Sequence, residues 1–164
     1  MNKVLSWKFC LLLMLSVSAV SINAQDTFRG IIPFVTTQLE VEQKLGKPNE
    51  YGRYELDEGR VYILYRQTEC EKTSKRCLCL APIGTVLSIE LQPKYDKYIK
   101  DLNLDPGIWE RAEVKGGDVP GIEVYTNHKP GMTYEVSADD GWIRSIRYSG
   151  SAETCKNLGK PSSQ

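Results

Sequence analysis

The feature that most limits the fold of this chain is a series of short apolar alternations cut apart by turn residues. Residues 84–92 alternate cleanly, with Leu87, Ile89 and Leu91 on one face and Ser88, Glu90 and Gln92 on the other. A period of two marks a strand with one face buried. Pro93 ends the run, because it has no amide to give to a ladder. Residues 51–56 and 60–66 flank Asp57-Glu58-Gly59 and read as a hairpin rich in Val, Tyr, Ile and Leu. Residues 122–127, 131–137 and 142–148 read as three further strands. His128-Lys129-Pro130 separates the first two, and Asp139-Asp140-Gly141 the last two. An Asp-Gly pair suits the left-handed angles of a tight hairpin, so these strands are expected to run antiparallel.

One helix is well marked. In Thr37-Gln38-Leu39-Glu40 the Thr37 hydroxyl can accept from a free amide while Glu40 reaches back, which is a capping box. Leu39, Val41 and Leu45 form a short apolar stripe, with Leu39 and Leu45 expected in the core. Gly46 suits a left-handed stop, and Pro48 prevents continuation. The helix is therefore expected over residues 38–45. Asp105-Pro106 is expected to open a second short helix through Trp109 to Ala112, although Gly107 weakens it. The fold class is α+β, a short helix packed on an antiparallel β-sheet.

An internal similarity raises the option of a tandem pseudo-repeat of helix-plus-hairpin units. Residues 84–91 and 141–148 share Gly, Ser and Ile at matching places, and Tyr54-Glu55-Leu56 resembles Tyr134-Glu135-Val136. Turn chemistry and alternation also make unrelated hairpins look alike.

The first two dozen residues read as a secretory signal. Lys3 and Lys8 precede an apolar run over residues 9–20, and Ala24 offers a cleavage point. The run is too short to span a bilayer comfortably. Removing 24 of the 164 residues leaves 140, one domain of ordinary size. The expected division is a signal peptide over 1–24, a single α+β domain over 25–155 and a disordered tail over 156–164. Residues 25–30 are expected to be a loose lead-in. The product is expected to be secreted or periplasmic.

Cys10 lies in the leader after Trp-Lys-Phe, which is not a lipoprotein cleavage context. Cys70, Cys77, Cys79 and Cys155 remain, and an even number in an exported chain favours two disulfides. Three pairings are open. A Cys77–Cys79 bridge would close a strained ring. The favoured arrangement has one bridge within residues 70–79 and another tying Cys155 back to that loop. A zinc site using these thiols with His128 fits the common ligand spacings poorly. Residues 67–82 otherwise read as a long polar loop that the disulfides would restrain.

Dropping Lys3 and Lys8 from 21 basic residues leaves 19 against 21 acidic ones. So even a balance supplies no electrostatic footprint for nucleic acid or an anionic membrane. The expected partner is a protein, with no nucleic acid and no membrane span.

The chemical signatures are weak. His128 is the one histidine, beside a Pro-Gly turn with no nucleophile marked near it. Asp101, Asn103 and Asp105 have calcium-loop spacing, but Pro106 and Ala112 stand where Gly and Glu would be needed. Asp139 and Asp140 are better explained by turn chemistry than as an acid pair. Lys115-Gly116-Gly117-Asp118 does not open a helix, so it is not a phosphate loop. The expectation is therefore no catalytic residue, no cofactor and no metal. Aromatic residues are the remaining feature. Tyr51, Tyr54, Tyr62 and Tyr65 on the first hairpin, with Trp142, are the expected partner-binding residues, since such rings suit half-exposed sheet faces.

The run from Thr36 to Pro48, ending Leu45-Gly46-Lys47-Pro48 and followed by a hairpin, resembles the start of a SmpA/OmlA-type module. It is also similar to the beta-lactamase-inhibitor-protein fold. The chain further resembles a group of uncharacterised small exported bacterial proteins through Tyr62-Ile63-Leu64-Tyr65, 101–105, Val119-Pro120-Gly121 and Tyr125-Thr126-Asn127. The resemblance implies a short helix before a small antiparallel sheet, sometimes in tandem, and export. The expected function is an exported, non-enzymatic binding module, envelope-associated or inhibitor-like. The alternative is a small secreted hydrolase with an unfamiliar site near His128.

Overall fold

The computed structural model describes residues 27–69, 77–114 and 121–158. The expected signal peptide over 1–24, Cys70 and residues 159–164 lie outside the described residues. The architecture is α+β. Seven antiparallel strands form one sheet in the order β1-β2-β3-β7-β6-β5-β4. They are β1 (Arg53–Leu56), β2 (Gly59–Tyr65), β3 (Val86–Pro93), β4 (Glu110–Val114), β5 (Ile122–Asn127), β6 (Met132–Ser137) and β7 (Ile143–Ser149). Among the described residues, short helices accompany them: α1 (Gln38–Leu45), α2 (Cys77–Leu80) and α3 (Ala152–Leu158). A 3-10 turn spans Ile99–Leu102.

Alternation decides which face is buried. Val61 pairs with Leu91 and Ile63 with Ile89, and Leu91 and Ile89 in turn sit opposite Ile146 and Tyr148. These residues build the core on one face, which we call the covered face. The alternate positions, including Arg60, Tyr62, Leu64, Glu90 and Arg147, form the open face.

The covered face is roofed by α1 and by the chain before it. The capping box forms as expected: Thr37 Oγ1 accepts from the Glu40 amide, and the Thr37 amide donates to the Glu40 carboxylate at 2.7 Å. The core residue of α1 is Val41, which is fully buried, while Leu39 is 67% exposed. This corrects the expectation for Leu39. Leu45 packs against the core as expected. The lead-in is also packed rather than loose: Phe28 and Ile31 are buried, and the Phe28 ring lies 5.7 Å from that of Tyr148.

Two further expectations change. Residues 109–112 do not continue as a helix. The amides of Ile108 and Trp109 both donate to the Asp105 carbonyl, closing a turn, and the chain then enters β4. After Ser151 the chain forms α3 through Leu158, so residues 156–158 are helical instead of disordered.

The sheet order is symmetric about the β3–β7 junction except for the extra edge strand β4. Matching contacts accompany that symmetry. Thr37 bridges Thr85 just before β3, and Tyr98 bridges Trp142 just before β7. The Gln38 amide donates to the Gly84 carbonyl, and the Ile99 amide to the Gly141 carbonyl. The Val86 amide donates to the Thr36 carbonyl, and the Ile143 amide to the Lys97 carbonyl.

Candidate functional site

Pleating puts Arg60, Gln92, Trp142 and Arg144 on the open face, because Val61, Leu91 and Ile143 between them turn inward. The β1–β2 turn is drawn tightly onto the end of β3. Gly59 has φ +148°, and a Cβ there would run into the Gln92 backbone. The Lys94 amide donates to the Glu58 carbonyl at 2.9 Å, holding the turn in place. On the other side the Trp142 amide donates to Asp140 Oδ1 at 3.1 Å, and this amide holds the Asp140 carboxyl below its ordinary range.

Between these walls lies a cleft of about 600 Å³ lined by Glu55, Asp57, Arg60, Gln92, Lys94, Trp142 and Arg144, among others. A volume of this order suits a small ligand or an inserted side chain. The lining carries both signs of charge. Arg60 Nε lies 3.9 Å from Glu55, a loose pair between exposed groups that contributes little stability. Lys94 rests over the Tyr95 ring at 5.6 Å. Trp142 Nε1 is shielded from solvent and has no hydrogen-bond partner among the described residues. Such an orphan donor is costly in a settled interior.

The open face continues away from the cleft. Arg53 Nη1 donates to the Tyr62 hydroxyl at 3.5 Å, and Leu64 is 57% exposed. Arg147 donates to Glu90 and to Glu135, each at 3.1 Å, spanning β3, β7 and β6. The result is a polar band with Tyr62 and Leu64 as its apolar points.

The aromatic residues named from the sequence divide between the faces. Tyr62 is on the open face and Trp142 lines the cleft. Tyr51 is 69% exposed in the turn before β1, with the Arg53 guanidinium 4.8 Å from its ring centre. Tyr54 pairs in register with Val61 and is 4% exposed, so its ring serves the core and cannot present itself to a partner. Tyr65 also turns inward, its hydroxyl 3.5 Å from that of Tyr54. Burial and this neighbour push the Tyr65 hydroxyl well above its ordinary range. Sequence reading missed Arg60, Gln92, Lys94 and Arg144. The alternation that predicts the strands also puts these side chains opposite the core.

His128 stands apart from the cleft, at the β5–β6 turn. Its Nε2 lies 3.1 Å from Glu110 Oε2 on β4, and both side chains are largely exposed. Its contact is thus a carboxylate, and not the hydroxyl or thiol that a nucleophilic pair needs. Cys79 on α2 and Cys155 on α3 are both disulfide-bonded, and these two helices touch each other. Among the described residues no helix is long and apolar enough to cross a membrane. No protein-family model matches the chain, and neither a curated protein nor a solved structure is found to be similar to it.

Proposed function

We propose that this protein is an exported, non-enzymatic binding module that grips a partner protein with the open face of its sheet. The observation that carries the reading is the asymmetry of the sheet. One face is roofed by α1 and residues 27–36. The other presents the cleft, Tyr62, Leu64 and the Arg147 cluster with nothing packed over them among the described residues. Aromatic and arginine side chains around an apolar point are the usual anchors of protein interfaces. Export, near-neutral charge and a disulfide framework built from Cys70, Cys77, Cys79 and Cys155 belong to the same proposal. So does a tandem of two helix-plus-sheet units, supported by the matching Gln38–Gly84 and Ile99–Gly141 hydrogen bonds. The resemblance to SmpA/OmlA-type and beta-lactamase-inhibitor-protein modules supports it through architecture alone.

The test is a pull-down from envelope extract or culture fluid with the full exported chain as bait. A partner should be retained by the native chain and lost with Leu64→Arg, whose side chain is exposed and should leave the melting midpoint unchanged. Recovery of no partner under several conditions would overturn the reading, as would a partner indifferent to Leu64→Arg. The second reading is a small hydrolase using the His128–Glu110 pair. Hydrolase activity that disappears in His128→Ala would establish it in place of the first.

A further inference from the structure

The cleft on the open face carries more positive charge than the fold itself neutralises. Arg60, Lys94 and Arg144 line it, against the carboxylates of Glu55 and Asp57. Glu55 is shared, with Arg53 Nε at 3.8 Å and Arg60 Nε at 3.9 Å. Lys94 lies against the Tyr95 ring and has no carboxylate partner among the described residues. Arg144 differs from the other arginines. Among the described residues, Arg29, Arg53, Arg60, Arg111 and Arg147 each have a carboxylate partner, and Arg66 donates to the Ala81 carbonyl. The Arg144 side chain has neither a hydrogen bond nor an ion pair among them.

A bulge sets the place of Arg144. Ile143 pairs with Val136 and Ser145 with Glu135, so Arg144 is the extra residue between them. Ile143 and Ser145 are buried and Arg144 is exposed. A bulge leaves its extra residue outside the ladder and re-aims the side chain, and here that side chain lines the cleft. The neighbouring row is complete by contrast. Arg147 is in register with Glu90 and donates to it and to Glu135. Two residues along β3, toward the cleft, stands Gln92, whose amide cannot neutralise a guanidinium. In the strand order β2-β3-β7, Gln92 lies between Arg60 and Arg144. With strands about 4.8 Å apart, long side chains from β2 and β7 can converge on one group above β3. Each guanidinium fork matches a carboxylate, and the Gln92 amide adds a neutral donor. Glu55 and Asp57 at the β1 side repel a polyanion, so the charge balance suits a single carboxylate.

We propose that the cleft is a socket for one carboxylate, the aspartate or glutamate side chain of a partner protein, held by Arg144 and Arg60 with Gln92 between them. The assignment rests on the partner-protein reading and names the chemistry of its central contact. The socket opens on the same face as Tyr62 and Leu64, so a loop that inserts an acidic side chain also meets those apolar points.

The test uses the full chain, isotopically labelled for NMR, at low ionic strength. The probes are N-acetyl-glutamate N-methylamide and its neutral counterpart N-acetyl-glutamine N-methylamide. The glutamate probe should bind saturably and shift the Arg60, Gln92 and Arg144 resonances, and the glutamine probe should bind at least about tenfold more weakly. Arg144→Gln should weaken the glutamate probe about tenfold and leave the melting midpoint unchanged, because the fold loses no contact. Gln92→Glu should abolish binding, by giving Arg144 an internal partner like the one Glu90 gives Arg147. Lys100→Gln removes an exposed cation that does not line the cleft and should change nothing. In the pull-down, a partner retained by the native chain should be lost with Arg144→Gln. The proposal is overturned if the two probes bind alike, if Arg144→Gln leaves probe affinity unchanged, or if the partner ignores that substitution. A partner lost with Leu64→Arg while the glutamate probe fails to bind overturns the socket and leaves the partner-protein reading standing. A bound probe with no partner recovered overturns that reading and, with it, the protein source of the carboxylate.

Discussion

At the scale of single residues, the sharpest lesson comes from α1. Its rotation is set less by which side chain is largest than by where its first turn is fastened. The Gln38 amide donates to the Gly84 carbonyl, and Thr37 bridges Thr85. With 3.6 residues per turn, that anchor directs positions 41 and 45 inward and 39 outward. Val41→Ala should therefore cost about 2 kcal/mol, for lost burial and a small void. Leu39→Ala should stay within about 0.5 kcal/mol of the native chain, as exposed substitutions usually do. Thermal melts of the two variants check this, and a larger loss for Leu39→Ala would contradict the helix orientation. Gly46 adds a backbone effect. It sits at φ +81°, ψ −169°, not in the left-handed helical region expected for the stop but in one that essentially only glycine occupies, although a Cβ there would meet no neighbour within 4 Å. Gly46→Val should cost about 1–3 kcal/mol through strain alone. An unchanged melting midpoint would show that the helix exit relaxes without it.

At the scale of elements, local signals were legible and imported ones were not. The α1 bounds and the whole of β5 can be read from capping and alternation, because those signals lie within the segment. β4 cannot: Glu110-Arg111-Ala112-Glu113-Val114 is exposed throughout and is held as a strand by its ladder to β5, from Glu110–Thr126 to Val114–Ile122. Propensity within a segment does not register a neighbour that supplies its hydrogen bonds. The helix α3 carries a local signal of its own, since Ser151 Oγ accepts from the Thr154 amide at 3.0 Å as an N-terminal cap. The candidate cleft is half legible: Trp142 stands out in the sequence, but its charged neighbours read as ordinary surface until four strand ends converge on them. α2 and α3 are short helices whose mutual contact joins a loop to the chain end. With Cys79 and Cys155 both disulfide-bonded, reduction should free that end of the molecule. We expect mass spectrometry of the protein to find no free thiol among Cys70, Cys77, Cys79 and Cys155. Loss of one bridge, as in Cys155→Ser, should cost about 2–5 kcal/mol. Free thiols with bound zinc would contradict this.

At the scale of the whole molecule, the described ion pairs and buried phenols predict how stability depends on pH. Among the described residues, four carboxyls sit below their ordinary values in the fold. Glu40 is held down by the Thr37 amide, Glu58 and Glu123 by the Arg29 and Arg111 guanidiniums that donate to them, and Asp140 by the Trp142 amide. A depressed carboxyl stabilises the fold above its unfolded value, ordinarily 4.5 for Glu and 3.8 for Asp, and that contribution disappears as pH falls through the lower folded value. The alkaline side has the opposite sign. Burial raises the hydroxyls of Tyr134 and Tyr148, the latter to about 12, from an ordinary 10.0. Their neutral forms contribute fully below 10.0, and the contribution is lost as pH rises through the folded values. The melting midpoint should therefore hold a plateau between about pH 5 and 9 and fall on both sides. The two limbs can be separated. Arg29→Gln removes the guanidinium that Glu58 relies on and should flatten part of the acid limb alone. Tyr148→Phe keeps the buried ring against Phe28 but has no proton to lose, so it should flatten part of the alkaline limb and leave the acid limb as it was. Melts from pH 2 to 12 on the three chains decide this, and an alkaline limb unchanged in Tyr148→Phe would show that Tyr148 is not the buried phenol that the covered face makes it.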